Sequence, residues 1–151
     1  MTSEERTASV VWIDADKATV WRWHDGEDSL LQRLVSEVPA HHKSTGHIGE
    51  AGGERHGGSG PRSGQEGHRR EHLRVFLSQV ERILPPDDDL LLLGDGVVVE
   101  YLAVRLHSDN VKHRRERRLE VAHSGPLSDP QLVARLRAFA GDPAPRRLPR
   151  R

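Results

Sequence analysis

The sequence predicts an α/β domain whose mixed sheet begins with antiparallel hairpin strands and is covered by flanking helices. Residues 9–14 (SVVWID) and 19–23 (TVWRW) are β-branched and aromatic runs typical of strands. Residues 90–93 (LLLL) form a short apolar run, as expected for a strand buried in the middle of a sheet. Helical patterns alternate with the later strands, which favours parallel crossover units after the hairpin.

The N-terminal part of the chain reads as three consecutive strands. Residues 15–17 (ADK) separate the first two runs, and this short connection predicts that they pair as a hairpin. Asp25-Gly26 marks the next turn. Residues 30–38 then supply a third strand, which Pro39 ends.

A long amphipathic helix is predicted in the middle of the chain. Ser63 and Glu66 match the S-x-x-E capping box, which places the start of this helix at Gly64. Pro85-Pro86 places its end. Its apolar positions follow the spacing of one helical face: Leu73, Phe76, Leu77, Val80, Ile83 and Leu84.

Three more elements complete the predicted domain. Residues 97–106 predict a helix, and residues 119–123 predict the next strand. Ser128 and Gln131 form a second capping box ahead of a last helix, which ends at Gly141.

Length and composition exclude several classes of protein. The chain has 151 residues, no cysteine and a formal net charge of zero, which fits one domain without disulfides, thiolate zinc or a uniformly basic surface. No signal peptide or membrane-length apolar run is found, so we expect a cytoplasmic protein with no membrane partner. We expect a folded domain over residues 9–141 with a long flexible loop at 41–63, and disorder in residues 1–8 and 142–151.

Residues 41–67 (HHKSTGHIGEAGGERHGGSGPRSGQEG) form the most unusual stretch. Nine of the 14 glycines and four of the 10 histidines fall there, and Ile48 is its only sizeable aliphatic side chain. Such a segment cannot bury enough apolar surface to offset the entropy of ordering it. A long structureless loop inside a domain is usually functional or disordered. We therefore expect a loop that orders on a partner, with a tolerated surface insertion as the alternative.

Four stretches carry a resemblance to a known family: residues 10–14 (VVWID), 41–49 (HHKSTGHIG), 90–96 (LLLLGDG) and 128–140 (SDPQLVARLRAFA). They resemble the central domain of the eukaryotic class-one release factor and Pelota. More closely, the chain resembles small single-domain bacterial relatives known as translational machinery proteins. The resemblance implies a ribonuclease-H-like, release-factor central-domain architecture, with the ribosome, rRNA or tRNA as partner.

In the release factor, the corresponding loop carries a Gly-Gly-Gln motif that enters the peptidyl-transferase centre. Carried over position by position, that place is held by Ser63-Gly64-Gln65. Gln65 is therefore the catalytic candidate that the resemblance supplies. Ser63 replaces the first glycine and is expected to cap the helix instead, so the resemblance favours binding over peptidyl-tRNA hydrolysis.

Side chains able to contact phosphate support RNA binding by the loop and by the basic run at 112–118 (KHRRERR). We expect this run on an exposed connection, where replacing its arginines scarcely changes stability. An ordinary solvated face is the alternative. Trp12, Trp21 and Trp23 are expected in the core or on a sheet face rather than stacked on bases. The residues predicted to bind RNA are His41, His42, Lys43, His47, Arg55, Arg62, Gly64, Gln65, Arg69, Arg70, Lys112, Arg114, Arg115, Arg117 and Arg118.

Metal-dependent enzymes are the competing class. His68 and His72 are four residues apart on the predicted helix and could share one metal ion, but Arg69 departs from the H-E-x-x-H pattern. A metal-dependent nuclease would use carboxylates at strand ends and on the first helix. The candidates are Asp14, Glu66 or Glu71, and Asp95. Turn and capping roles explain these carboxylates equally well.

The sequence thus predicts a ribosome-associated translation protein that binds rRNA or tRNA through a Gly/His/basic loop, without a cofactor. Its role would be of the rescue, release or hibernation type. The alternative is a metal-dependent nuclease or a peptidyl-tRNA hydrolase.

Overall fold

The computed structural model describes residues 7–36 and 59–141. None of the helices in these ranges is long and apolar enough to cross a membrane. The element order confirms the predicted α/β class. The elements are β1 (Ala8–Ile13), β2 (Lys17–His24), β3 (Glu27–Val35), α1 (Ser59–Ile83), β4 (Asp89–Gly94), α2 (Val98–Lys112), β5 (Leu119–His123) and α3 (Asp129–Ala140).

The five strands form one mixed sheet in the order β3-β2-β1-β4-β5. β1 pairs antiparallel with β2 and parallel with β4, and β4 pairs parallel with β5. β3 pairs antiparallel with β2, so it runs in the same direction as β1. Four strands therefore finish at one end of the sheet, which we call its carboxyl end: Ile13, Val35, Gly94 and His123.

Alternating side chains of the central strands enter two cores, one on each face of the sheet. Val11 and Ile13 of β1 pack with buried residues of α1 and α2. Val10 and Trp12, which point the other way, pack with α3. β4 supplies alternate leucines to both cores, and this double burial explains its unbroken apolar sequence.

All three tryptophans lie on the α3 face of the sheet. Trp12 and Trp23 are buried, and Trp21 packs half-buried against the same core. The Trp12 Nε1–H donates to the carbonyl oxygens of Ser124 and Gly125. The prediction that these rings serve the core or a sheet face is confirmed.

Both predicted hairpin turns are present. The Asp14 carboxylate accepts the backbone N–H groups of the β1–β2 turn. Asp25 and Gly26 adopt φ values of 59° and 79°, as a two-residue hairpin turn requires. This tight turn pairs His24 directly with Glu27. β3 therefore begins earlier than the apolar pattern predicts, since most side chains at its start are exposed and carry no alternation.

The predicted start of α1 at Gly64 is wrong. α1 runs from Ser59 to Ile83, so Ser63 lies inside the helix and is not its N-cap. Pro61 falls in the first turn, where its missing N–H removes no helical hydrogen bond, and it is the local signal for the earlier start. The last residues of the predicted loop are thus helical, and the remainder, residues 41–58, lies outside the described residues.

The ends of the domain follow the remaining predictions with small differences. β1 begins at Ala8, which is buried, one residue before its predicted start. The rest of the predicted disordered ends, residues 1–6 and 142–151, lies outside the described residues. α2 extends well past residue 106. The polar residues after Leu106 resemble a helix end in the sequence, but the helix continues through them and buries Asn110.

The last two elements agree with their local signals. β5 covers the predicted residues. The capping box is formed: the Ser128 side chain accepts the Gln131 N–H, and the Gln131 side chain accepts the Ser128 N–H. Gly141 ends α3 with a φ of 84°, a left-handed conformation that glycine adopts without strain.

Candidate nucleic-acid interface

α1 is longer than the sheet that it covers. Its 25 residues span roughly 37 Å, whereas the strands, of five to nine residues, span roughly 17–30 Å. Among residues 67–83, the side chains of α1 that contact the core begin at the partly buried Leu73 and continue through the buried Phe76, Leu77 and Val80. α1 leads into β4 at the opposite end of the sheet from Val35. The first half of α1 therefore projects beyond the carboxyl end of the sheet.

The described part of this projection has a basic surface. His68 and Arg70 are exposed, and Arg69 and His72 are half-buried. The ring centroids of the two histidines are 5.6 Å apart. The adjacent acidic side chain, Glu71, is paired with Arg74 at 2.5 Å, and this hydrogen-bonded pairing lowers the Glu71 pKa. The Glu71–Arg74 pair is neutral overall, so Arg69 and Arg70 give this described surface an excess of positive charge at neutral pH.

The predicted site residues of the loop divide between the two sides of the gap. Arg62, Gly64 and Gln65 belong to α1. The backbone of the Ser63-Gly64-Gln65 triplet is helical, so the triplet is not at a turn, and Gln65 as a catalytic residue stays a prediction. The others lie outside the described residues: His41, His42, Lys43, His47 and Arg55.

The expectation that the later basic run is freely exposed is wrong for Arg117. Its side chain is only 3% exposed. The guanidinium donates to Asn110 Oδ1 at 2.7 Å and to the Pro85 carbonyl oxygen at 3.1 Å. Burial lowers the pKa of Arg117. This side chain ties the segment after α1 to the end of α2, and the pairing of residues distant in sequence is what the local charge pattern did not reveal.

Arg115 and Arg118 also make contacts within the protein. Arg115 Nε donates to Asp109 at 3.1 Å. Arg118 donates to the Phe139 carbonyl oxygen at 2.6 Å, and its guanidinium lies 4.1 Å from the centre of the Phe139 ring. Lys112 and Arg114 are exposed and make no such contact within residues 7–36 and 59–141. These last two keep the most accessible charge of the run.

Three of the carboxylates proposed for a metal-dependent nuclease, Asp14, Glu71 and Asp95, do not converge, and the side chain of Glu66 lies outside the described part. In the part of the chain that the structure describes, no three His, Cys, Asp or Glu side chains are placed to hold a metal ion. Asp14 serves the β1–β2 turn, Glu71 pairs with Arg74, and Asp95 is exposed after β4. The pair of His68 and His72 likewise has no third ligand within that part.

A groove that the sequence analysis missed opens at the carboxyl end of the sheet on the α3 face. Its volume is about 420 Å³, and it lies between the start of β2, the end of β3 and the start of α3. Asp129 on its wall accepts from Arg33 at 2.6 Å and from Trp21 Nε1 at 3.2 Å, and these bonds lower the Asp129 pKa. Arg33 and Asp129 are 96 positions apart in the chain, so no local pattern marks the groove.

Solved structures of translation factors are similar to this chain. The Thermoplasma acidophilum Pelota protein has a TM-score of 0.47 and 13% identity over 91% of this chain and 34% of that chain. S. cerevisiae Dom34, a translation termination-like factor involved in RNA quality control pathways, has a TM-score of 0.46 and 11% identity over 83% of this chain and 31% of that chain. The archaeal translation termination factor aRF1 has a TM-score of 0.42 and 12% identity over 89% of this chain and 34% of that chain.

The chain spans about a third of the length of these three proteins. They include Pelota and a release factor, the two kinds of protein that the sequence resembles. No protein-family model and no curated protein matches the chain.

Proposed function

We propose that this protein is a ribosome-associated translation factor that binds rRNA or tRNA, in a role of the rescue, release or hibernation type. One observation carries the proposal: the first half of α1 extends beyond the packed sheet, and its described side chains, from residue 67 onwards, form a basic surface. The HHKSTGHIG segment precedes this helix in the sequence. The sequence resemblance to release-factor and Pelota central domains supports the same function.

The chemistry of the projection suits phosphate contacts. Arginine presents several donors in a planar group that matches phosphate oxygens, and Arg69 and Arg70 are consecutive residues of the helix. A rigid helix beyond the body of the domain can bring such donors to a recessed RNA surface. The glycines upstream would allow the backbone to approach phosphates closely.

The enzymatic alternatives have less support. A release-factor glutamine acts from a glycine turn, whereas the backbone around Gln65 is helical. A metal-dependent nuclease needs converging carboxylates, and Asp14, Glu71 and Asp95 have separate surroundings within the described residues. RNA binding without a chemical step is therefore the proposed activity.

Co-sedimentation with ribosomes over a salt series tests the proposal. Retention should weaken as salt rises, because phosphate contacts release counterions. The double variant Arg69→Ala/Arg70→Ala should bind less at every salt concentration, and its log–log salt slope should be smaller by about 1–2. The matched control is Arg82→Ala/Arg135→Ala, which removes two charges from exposed side chains away from the projection.

Two outcomes would contradict the proposal. Absence of the wild-type protein from ribosomal fractions at low salt would remove its ribosomal basis. An equal loss of binding in the test and control variants would show that only total charge matters, and not the α1 surface. Thermal unfolding of both variants confirms that each is folded.

A further inference from the structure

An apolar stripe runs along the solvent side of α2. Val97, Tyr101, Val104 and Val111 are all exposed large side chains, with Val104 and Val111 each 66% exposed. With Ser108 they recur at alternating steps of four and three residues, the spacing that aligns side chains for packing against another helix. The opposite side of α2 already fills the core. No element of the described chain covers the stripe.

β5 widens this stripe into a patch. His123 of β5 pairs with Glu100 of α2 at 2.8 Å, which sets the two elements level with each other. Val121 lies two residues before His123, a distance of about 6.6 Å along the strand. This distance is roughly one turn of helix, which separates Glu100 from Val104. The exposed Val121 is therefore level with Val104. Continuous apolar surface of this kind marks interaction sites rather than ordinary solvent-exposed surface.

We propose that a second copy of this chain covers the patch, with the two α2 helices packed antiparallel about Val104. In this arrangement Val97 of each copy lies opposite Val111 of the other, and the two Val104 side chains meet at the two-fold axis. This interface would add an oligomeric state to the protein, independent of the proposed ribosome binding.

The charges at the two ends of α2 favour this occupant. Asp95 and Glu100, the latter paired with His123, lie at the amino end of the stripe. At its carboxyl end Lys112 and Arg114 are exposed, and Asp109 is neutralised by its pair with Arg115. Antiparallel pairing brings the acidic end of one copy to the basic end of the other, whereas parallel pairing would bring like charges together. Such self-complementarity is what a two-fold interface requires.

The size of the helix pair indicates a reversible dimer. The 15 residues of α2 extend roughly 22 Å, so the pair buries less than about 1,200 Å² and belongs to the weak, transient class of interfaces. We expect a dissociation constant of micromolar order. Sedimentation velocity of the full chain, without ribosomes, should show association between about 1 and 100 µM.

Charge reversal at the two-fold axis provides the specific test. Val104→Glu alone and Val104→Lys alone should each weaken dimerisation at least ~10-fold, because like charges would face each other. An equimolar mixture of the two variants should associate again. The control is Val35→Glu, the same change at a valine that is 76% exposed on β3, at the opposite edge of the sheet from β5. This variant should dimerise like the wild type.

The result can overturn the proposal in three ways. A wild-type chain that stays monomeric throughout the range would exclude the dimer. Equal effects of Val104→Glu and Val35→Glu would place the contact elsewhere. A mixture of the Val104 variants that fails to associate would exclude pairing about Val104. Circular dichroism melts establish that every variant compared is folded.

Discussion

Replacing Arg117 with Ala should destabilise the fold. The side chain is 3% exposed, and it donates to Asn110 Oδ1 and to the Pro85 carbonyl oxygen. Its removal leaves the buried Asn110 Oδ1 without that donor, at a cost of about 1–3 kcal/mol. It also removes the hydrogen bond to the Pro85 carbonyl oxygen, which keeps the Asp88 N–H as a donor. Burying the charge is itself unfavourable, as the lowered pKa of Arg117 indicates, and the loss of that burial offsets part of the cost. The expected net loss is about 2–3 kcal/mol.

Urea unfolding followed by circular dichroism measures this loss, which corresponds to a Tm lowered by roughly 8–12 °C for a domain of this size. Arg114→Ala is the matched control, because the Arg114 side chain is exposed and makes no hydrogen bond or ion pair within the described residues, and its backbone bond to Val111 is kept by alanine. Its free energy of unfolding should change by less than about 0.5 kcal/mol. Equal stability of the two variants would refute the structural role assigned to Arg117.

Two further predictions concern the sheet and the groove. Gly94→Ala should cost about 3 kcal/mol, because a Cβ there would lie 2.2 Å from the Ile13 carbonyl oxygen, whereas Gly125→Ala, with open space around it, should be near neutral in the same urea assay. Equal stability of these two variants would contradict the close packing of β1 and β4. The Asp129 pKa is lowered chiefly by its bond to Arg33, so the ionised form contributes stability above the unfolded-state pKa near 3.9. That contribution is lost as pH falls through the folded-state pKa, so the stability difference between wild type and Asp129→Asn should be constant above about pH 5 and shrink below about pH 4. A difference that grows on acidification would contradict the assignment.

Much of the fold could be predicted because its signals are local. The apolar run of β4 identifies a strand buried on both faces, and the Ser128 capping box and Gly141 mark both ends of α3. The start of α1 could not be predicted in the same way, since the capping-box residue Ser63 lies inside the helix and Pro61 marks the earlier start. When two start signals lie within a few residues of each other, only the tertiary contacts of the folded chain decide which of them begins the helix.

The candidate site was predicted in its composition and not in its accessibility. The sequence shows which basic residues exist, and it places Arg69 and Arg70 on a helix. It does not show that α1 extends beyond the sheet, because that depends on where the strands, which are distant in sequence, stop packing against the helix. Nor does it show that Arg117 is buried while Arg114 is exposed, although the two lie three positions apart.

The sequence by itself determined the α/β class, the hairpin turns, the two-sided burial of β4 and the caps of α3, because each depends on neighbours within a few residues. Only the tertiary structure decided which end of the sheet α1 extends beyond, which arginines serve the fold, and which apolar stripe stays uncovered. These properties arise from contacts between segments far apart in the chain, such as Arg117 with Pro85 and Arg33 with Asp129. Hydropathy and capping patterns carry no information about such pairs, since their energies exist only once the sheet has brought the segments together.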